Sequence, residues 1–115
     1  MKKLFIVANW KSYKTQVEAV DWLETFESRI LNQESREDEK EKEIIVCPAF
    51  TLLSEVSFFI QENKLPIKVG AQDVSAFPEG AYTGAVHAKQ VKEFGEYTII
   101  GHSERRRFFD ETDEI

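Results

Sequence analysis

The sequence is poor in the features that mark secreted, membrane-spanning or repetitive proteins. It contains one cysteine, Cys47, which excludes an internal disulfide and is typical of a protein in a reducing cytoplasm. No apolar run approaches the roughly 18 residues that a transmembrane helix needs. The apolar stretch at the N-terminus ends at Asn9-Trp10-Lys11 without a small-residue cleavage site, so no signal peptide is expected. Internal repeats and low-complexity linkers are also absent.

Charge and composition narrow the class further. The net charge of −6 weighs against nucleic acid or an anionic membrane as the partner. Hydrophobic residues make up 42% of the 115 residues and charged residues 31%, which is ordinary for a globular protein. We therefore expect a single soluble, cytoplasmic domain spanning residues 1–115, with neither nucleic acid nor a membrane as its partner.

Strand and helix patterns alternate along the chain. Four short runs rich in apolar and β-branched residues predict strands: Phe5–Asn9, Ile44–Cys47, Ile67–Ala71 and Tyr97–Ile100. Helical patterns lie between these strands. The first begins with a capping box at Thr15–Glu18, and its apolar face begins with Val17. Thr51 is placed to cap the second helix, and the third runs from Val86 to Phe94 and is ended by Gly95. The polar stretch from Asn32 to Glu43 predicts a frayed helix end and exposed loop, and Asp110–Ile115 the start of a further helix. This alternation predicts an α/β fold with parallel strands and helices on the outer face of the sheet.

Polar side chains follow the first and the fourth strand. Asn9 and Lys11 end the first, and His102 and Glu104 follow the fourth. Ligands collect at the carboxyl ends of parallel strands, so a site is expected there. Lys11 is a compact positive charge, His102 beside a helix N-terminus favours a neutral ring that donates a hydrogen bond, and Glu104 is placed to pair with Lys11.

A simpler interpretation of part of this cluster also stands. Ser103 is equally well explained as a helix cap, and the arginines at 105–107 as solvated charges. His87, on the third helical pattern, is expected to be a surface residue, and Cys47 a buried small hydrophobic residue.

Three motifs carry a resemblance to a known family. They are Ala8-Asn9-Trp10-Lys11, the stretch from Gly70 to Gly84 that includes Gln72-Asp73 and Tyr82-Thr83-Gly84, and Ile100-Gly101-His102-Ser103-Glu104-Arg105-Arg106. In this order and spacing they resemble the triosephosphate isomerase family. The resemblance implies a partial (β/α)8 barrel made of the first four βα units, with the fourth helix truncated, because complete barrels of this kind have roughly 250 residues.

The resemblance also implies roles for individual residues. The reaction would be the interconversion of dihydroxyacetone phosphate and glyceraldehyde 3-phosphate, a step of glycolysis and gluconeogenesis, with no cofactor and no metal. Asn9 and Lys11 would bind the substrate. His102 would polarise the carbonyl, with Lys11 stabilising the enediolate and Glu104 supporting the lysine.

A subunit interface is implied as well, and the chain departs from the family there. The residues that match interface positions are Gln72, Asp73, Thr83, Gly84 and Arg105. Asp73 stands where asparagine is commoner, and Ala85 stands where the family usually has a glutamate that pairs with the arginine matching Arg105. One salt bridge of the interface is therefore expected to be lost.

The family's glutamate base, its flexible lid and its phosphate loops have no counterpart in these 115 residues. The chain alone is therefore expected to be inactive, and to act on a triose phosphate only with a complementing C-terminal half. The open sheet edges predict a homo-oligomer. The alternative is a non-catalytic half-barrel that self-associates or weakly binds phosphosugars.

Overall fold

The computed structural model describes residues 2–31 and 41–115, and in them strands alternate with helices. The elements are β1 (Leu4–Asn9), α1 (Gln16–Leu31), β2 (Lys42–Cys47), a 3₁₀ turn (Phe50–Leu52), α2 (Leu53–Glu62), β3 (Lys68–Ala71), α3 (Ala88–Phe94), β4 (Tyr97–Thr98) and α4 (Ser103–Phe108). The strands lie side by side in chain order, and every pairing is parallel. The sheet curls, so that the rings of Phe5 in β1 and Tyr97 in β4 meet edge-on at 6.5 Å. The predicted α/β half-barrel of parallel strands is confirmed.

The core lies between the outer face of the sheet and the helices. Val46 of β2, Leu23 of α1 and Val56 of α2 are completely buried there. The inner face of the sheet is open by contrast, since Phe5 and Val7 of β1 are 51% and 52% exposed. The fold therefore has one finished apolar layer, outside the sheet, and one unfinished layer inside it.

The first helix begins as the sequence predicts. The Thr15 amide donates to Oε1 of Glu18 at 3.1 Å, and the Glu18 amide donates to Oγ1 of Thr15 at 3.5 Å, which confirms the capping box. The prediction that Val17 packs inward is wrong, because its side chain is 70% exposed. The helix packs through Ala19 and Leu23, and a residue two positions from Ala19 is rotated by about 200° around the helix axis.

Several predicted boundaries shift in the structure. Strand β2 begins at Lys42 rather than at Ile44, so the prediction of a loop from Asn32 to Glu43 is wrong at its end, and residues 32–40 of that loop lie outside the described residues. Thr51 does not cap α2, because it lies inside the 3₁₀ turn that leads into that helix. Residues 110–115 form a turn in which the Ile115 amide donates to the Thr112 carbonyl at 3.3 Å, with no helical segment. None of the helices in the described ranges is long and apolar enough to cross a bilayer.

The third helix is delimited by His87 and Gly95. His87 is half-buried and precedes α3 rather than lying on it, and its amide donates to Oε1 of Gln90 at 3.1 Å. At the other end the Gly95 amide donates to the Val91 carbonyl at 2.8 Å. A Cβ at residue 95 would lie 2.7 Å from the Val69 carbonyl oxygen, so close approach to β3 requires glycine there.

Candidate active site

An ion pair joins the carboxyl ends of β1 and β4. Nζ of Lys11, just beyond β1, lies 2.7 Å from Oε1 of Glu104 in α4. Both side chains remain partly exposed, at 47% and 40%. The predicted pairing is therefore present, and it holds the two polar strand ends at one rim of the curled sheet.

The backbone at Lys11 adopts an unusual conformation. Its φ is 56°, in the left-handed region that residues with a Cβ seldom occupy. Oδ1 of Asn9 accepts a hydrogen bond from the Lys11 amide at 2.9 Å, which is a turn that asparagine forms readily. The sequence Asn9-Trp10-Lys11 thus turns the chain sharply at the strand end, and the buried Trp10 between them anchors the turn in the core.

Gln72 ties three strand ends together. It follows β3, and its Nε2 donates both to the Lys11 carbonyl at 2.7 Å and to the Cys47 carbonyl at 2.9 Å. The side chain thereby satisfies the backbone at the ends of β1 and β2. Asn9 thus binds the amide of the strained Lys11, and Gln72 binds its carbonyl oxygen, so both sides of this residue's backbone are held in place.

His102 forms the N-cap of α4. Its Nδ1 accepts a hydrogen bond from the Glu104 amide at 3.1 Å. Accepting this bond requires an unprotonated Nδ1, so a neutral ring carries its proton on Nε2. The geometry leaves Nε2 as a hydrogen-bond donor, which is the form that the sequence predicts. Ser103 is the first residue of the helix and not its cap.

The electrostatics of the rim follow from the ion pair. The hydrogen bond to Glu104 raises the pKa of Lys11, and the same bond lowers the pKa of Glu104. Both groups are thus charged at neutral pH. Nearby, burial raises the pKa of the Cys47 thiol to about 11, so it is neutral and unreactive at that pH, as predicted for a buried small residue.

These side chains line one pocket of about 260 Å³. Its walls include seven of the nine predicted site residues together with four others, and they are Asn9, Lys11, Ser12, Ala49, Phe50, Gln72, Asp73, His102, Glu104, Arg105 and Phe109. Sequence reasoning did not name Ser12, Ala49, Phe50 and Phe109 for the site. Ser12 directly follows Lys11 and Phe50 follows β2, so their positions after strand ends were the available signal. Within residues 2–31 and 41–115, no group of three His, Cys, Asp or Glu side chains could hold a metal ion.

Arg105 connects the pocket to the residues after α4. Its Nε lies 2.7 Å from Oε2 of Glu111 and 3.4 Å from Oδ1 of Asp73. Its guanidinium also lies over the Phe109 ring, 4.6 Å from the centroid. Arg105 therefore has carboxylate partners inside its own chain. Ala85, at the position where the family usually has a glutamate that pairs with this arginine, is exposed.

Thr83 and Gly84 do not reach this pocket. They lie on the exposed loop between β3 and α3, where the rings of Phe77 and Tyr82 stack at 4.5 Å. Gly84 has φ of 87°, which suits glycine. The two residues line a neighbouring groove that also includes Arg105.

Parallel strands in a curled sheet, with a polar pocket at their carboxyl ends, define the chain as part of a (β/α) barrel. A family model described as triosephosphate isomerase matches residues 4–115. The chain belongs to the triosephosphate isomerase family.

Individual relatives agree with this assignment. The triosephosphate isomerase of Gloeothece citriformis is 41% identical over 115 residues, covering 99% of this chain and 45% of the relative. That of Alkaliphilus oremlandii is 43% identical over 116 residues, covering 99% of this chain and 43% of the relative. The crystal structure of the Bartonella henselae enzyme superposes with a TM-score of 0.78 at 32% identity, covering 96% of this chain and 42% of that one. The chain thus spans a little under half the length of the relatives it matches.

Proposed function

We propose that this chain supplies one half of a triosephosphate isomerase active site, for the interconversion of dihydroxyacetone phosphate and glyceraldehyde 3-phosphate. The observation that carries the proposal is the shared pocket in which Lys11, Glu104 and His102 lie at the ends of two different strands. The family relationship adds the reaction, and the pocket adds groups suited to it. Residues 1–115 would act as a single partial-barrel domain.

The roles follow from the chemistry of each group. An enediolate carries negative charge on oxygen, and Lys11 offers the positive charge that stabilises it. The Nε2 hydrogen of a neutral His102 polarises a carbonyl by donating to its oxygen. Asn9 orients the substrate beside Lys11, and Glu104 holds the ammonium group until the substrate takes its place. No cofactor and no metal enters this scheme.

The charges of the pocket suggest that the phosphate is held elsewhere. Lys11 and Arg105 are its two basic residues, Asp73 and Glu104 its two acidic ones, and each basic group already pairs with a carboxylate. A dianionic phosphate gains little from such a balanced set. This supports a division in which the 115 residues handle the carbonyl end, and a complementing part brings the base, the lid and the phosphate loops.

A subunit interface is part of the proposal for the completed enzyme. The exposed loop with Thr83 and Gly84 would contact a second subunit, with Thr83 reaching towards that subunit's pocket. The contact would be supported indirectly by Gln72, Asp73 and Arg105, because the polar partners of these three residues lie within the same chain.

A chimaera tests the proposal. Residues 1–115 are joined to the part of the Gloeothece citriformis relative beyond the matched region, and isomerase turnover is measured beside the chain alone. We expect turnover from the chimaera only, lost in Lys11→Ala and kept in Lys89→Ala, an exposed lysine of α3. A folded but inactive chimaera would refute the proposal, as would Lys11-dependent turnover by the chain alone.

Weak phosphosugar binding without catalysis is the second candidate. The pocket of about 260 Å³ with Lys11 at its rim could accept the enediolate end of a phosphosugar, with the phosphate outside the charge-balanced walls. Calorimetric titration of the 115-residue chain with a phosphorylated enediolate analogue tests this. Heat that disappears in Lys11→Ala supports it, and an absence of heat removes this candidate while leaving the chimaera result unaffected.

A further inference from the structure

Three consecutive arginines lie in α4 after His102, and each has a different kind of partner. Arg105 pairs with carboxylates, and the guanidinium of Arg107 lies 5.1 Å from the centroid of a neighbouring phenylalanine ring. Nε of Arg106 instead donates to the Gly101 carbonyl oxygen at 2.8 Å. Arg106 is therefore tied to the backbone that leads into His102, and it is more than a solvated charge of the helix.

Gly101 leaves room for this guanidinium. Its φ of 64° lies in the left-handed region, where glycine is preferred. A Cβ at residue 101 would also lie 2.7 Å from Nη2 of Arg106, which is closer than two such atoms can approach. The guanidinium thus packs against the face of Gly101 on which any other residue would carry its side chain. A side chain at position 101 would therefore displace Arg106.

The hydrogen bond from Arg106 acts on the peptide group that leads into His102. The Gly101 carbonyl and the His102 amide belong to one peptide unit, which is planar. A donor on that oxygen therefore fixes the plane from which the His102 side chain departs. The backbone amide of Arg106 also donates to the His102 carbonyl, at 3.1 Å. Arg106 thus binds the peptide groups on both sides of His102.

The direction of Nε2 of His102 depends on two fixed points. One is the hydrogen bond from the Glu104 amide to Nδ1, at 3.1 Å. The other is the peptide group that Arg106 holds, because rotation of that group would swing the whole ring. Helix α4 has six residues, and a helix that short is not stable through its own backbone bonds. Its first turn therefore depends on side-chain hydrogen bonds of this kind.

We propose that Arg106 is a positioning residue for His102: its hydrogen bond to the Gly101 carbonyl and its packing on Gly101 direct Nε2 towards the substrate carbonyl. This inference rests on the proposed function for the role of His102 as the donor to that carbonyl. Arg106 is not among the residues that line the pocket, so it acts through the backbone and not by touching the substrate.

Arg106 has a second partner, and the two contacts can be separated. Its Nη1 lies 2.6 Å from Oδ1 of Asp113, whose side chain is 85% exposed. Exposed ion pairs of this kind contribute little to stability. Asp113→Ala removes the ion pair and leaves Nε on the Gly101 carbonyl, whereas Arg106→Ala removes both contacts. A difference between these variants therefore reports on the bond to Gly101.

The first measurement is made on the 115-residue chain itself and needs no activity. The chain has two histidines, and nitrogen NMR follows the ring nitrogens of both. For His102 we expect separate resonances from an unprotonated Nδ1 and a protonated Nε2. Arg106→Ala should bring these two resonances closer together, because the freed ring exchanges between tautomers, while those of His87 stay in place. Arg107→Ala and Asp113→Ala should leave both histidines unchanged.

The second measurement uses the active chimaera. Arg106→Ala is expected to lower kcat by about 10–100-fold, the cost of a small displacement of a reacting group, with KM within a few-fold of the parent. In the His102→Asn background the same substitution should lower kcat no further, because a residue that acts only through the ring has nothing left to position. A general loss of structure would instead lower kcat by the same factor in both backgrounds.

The Arg106 side chain is 47% exposed, so the alanine variant should fold, and circular dichroism checks this. Arg106→Met keeps the aliphatic stem without the donors and answers the same question if Arg106→Ala is unfolded. Unchanged His102 resonances in a folded variant overturn the inference, as does an equal loss of kcat in the two backgrounds. An inactive parent chimaera refutes the proposed function alone, because the imidazole resonances still decide whether Arg106 holds the ring.

Discussion

Nε2 of Gln72 lies 2.7 Å from the carbonyl oxygen of Lys11, and this hydrogen bond joins the end of β3 to the end of β1. The same nitrogen also bonds the Cys47 carbonyl at the end of β2. Lys11 has a positive φ of 56°, and this conformation is held by the bond from Gln72 and by the turn that Asn9 makes. Lys11, which we propose offers charge to a substrate, is therefore positioned by a side chain 61 residues further along the chain.

The first prediction concerns the stability that Gln72 provides. Gln72→Ala removes the hydrogen bonds to the carbonyl of the exposed Lys11 and to the carbonyl of the buried Cys47, which still accepts the Trp10 amide, and we expect a loss of about 1 kcal/mol in the free energy of unfolding. Urea denaturation measures it. Gln61→Ala, an exposed glutamine of α2, should change little. Equal midpoints for the two variants would show that the Gln72 bonds do not stabilise the strand ends.

The second prediction concerns the charge of Asp73. Burial raises the pKa of this carboxyl group. The hydrogen bond from the Val74 amide and the positive charge of Arg105 lower it, but by less. A raised pKa means that the folded state favours the protonated form, so ionisation at neutral pH destabilises the fold. Asp73→Asn should therefore raise the melting temperature at pH 7. Arg105 keeps its closer partner, Glu111, in this variant.

The pH dependence of that gain is part of the prediction. As pH falls below the ordinary range of an aspartate, the native Asp73 takes up its proton, and the difference between the two proteins should close. Melting curves between pH 7 and pH 3 measure it. A variant that is less stable than the native chain at pH 7 would show that the ion pair with Arg105 outweighs burial.

The sequence predicts a structural feature of this protein best when the residues that determine the feature lie close together along the chain. The capping box of Thr15 and Glu18 is read correctly because both partners lie within one turn. The pairing of Lys11 with Glu104 is also predicted, because parallel strands bring their carboxyl ends to one rim. Val17 is misassigned because the burial of a helix face depends on which stripe meets the sheet. The double hydrogen bond of Gln72 depends on three strand ends, so no local pattern contains it.

The third prediction concerns the end of α2. The Leu65 amide donates to the Ile60 carbonyl at 3.0 Å and the Lys64 amide to the Gln61 carbonyl at 3.3 Å, the pairing of a Schellman motif. Lys64 occupies the left-handed position with φ of 49°, where glycine is preferred. Lys64→Gly should therefore raise the free energy of unfolding by about 0.5–1 kcal/mol.

The same substitution inside a helix should act in the opposite direction. Lys92→Gly in α3 places glycine in a helical conformation and is expected to cost about 1 kcal/mol. Thermal unfolding of the two variants gives the comparison. If both lower the stability, the strain at Lys64 is smaller than the flexibility that glycine adds to the unfolded chain.

The fourth prediction separates the two nitrogens of His102. Nδ1 accepts the Glu104 amide hydrogen and caps α4, whereas Nε2 is the proposed donor to a substrate carbonyl. Asparagine is a good N-cap whose side-chain oxygen can accept the same amide hydrogen, but it offers no donor at the Nε2 position. His102→Asn should thus keep the stability of the chain. In the active chimaera it should lower turnover by about 10²–10⁴-fold, the usual contribution of a positioned proton donor. Turnover within a few-fold of the parent, in a variant whose melting temperature is unchanged, would remove His102 from the chemistry and leave it only as a helix cap.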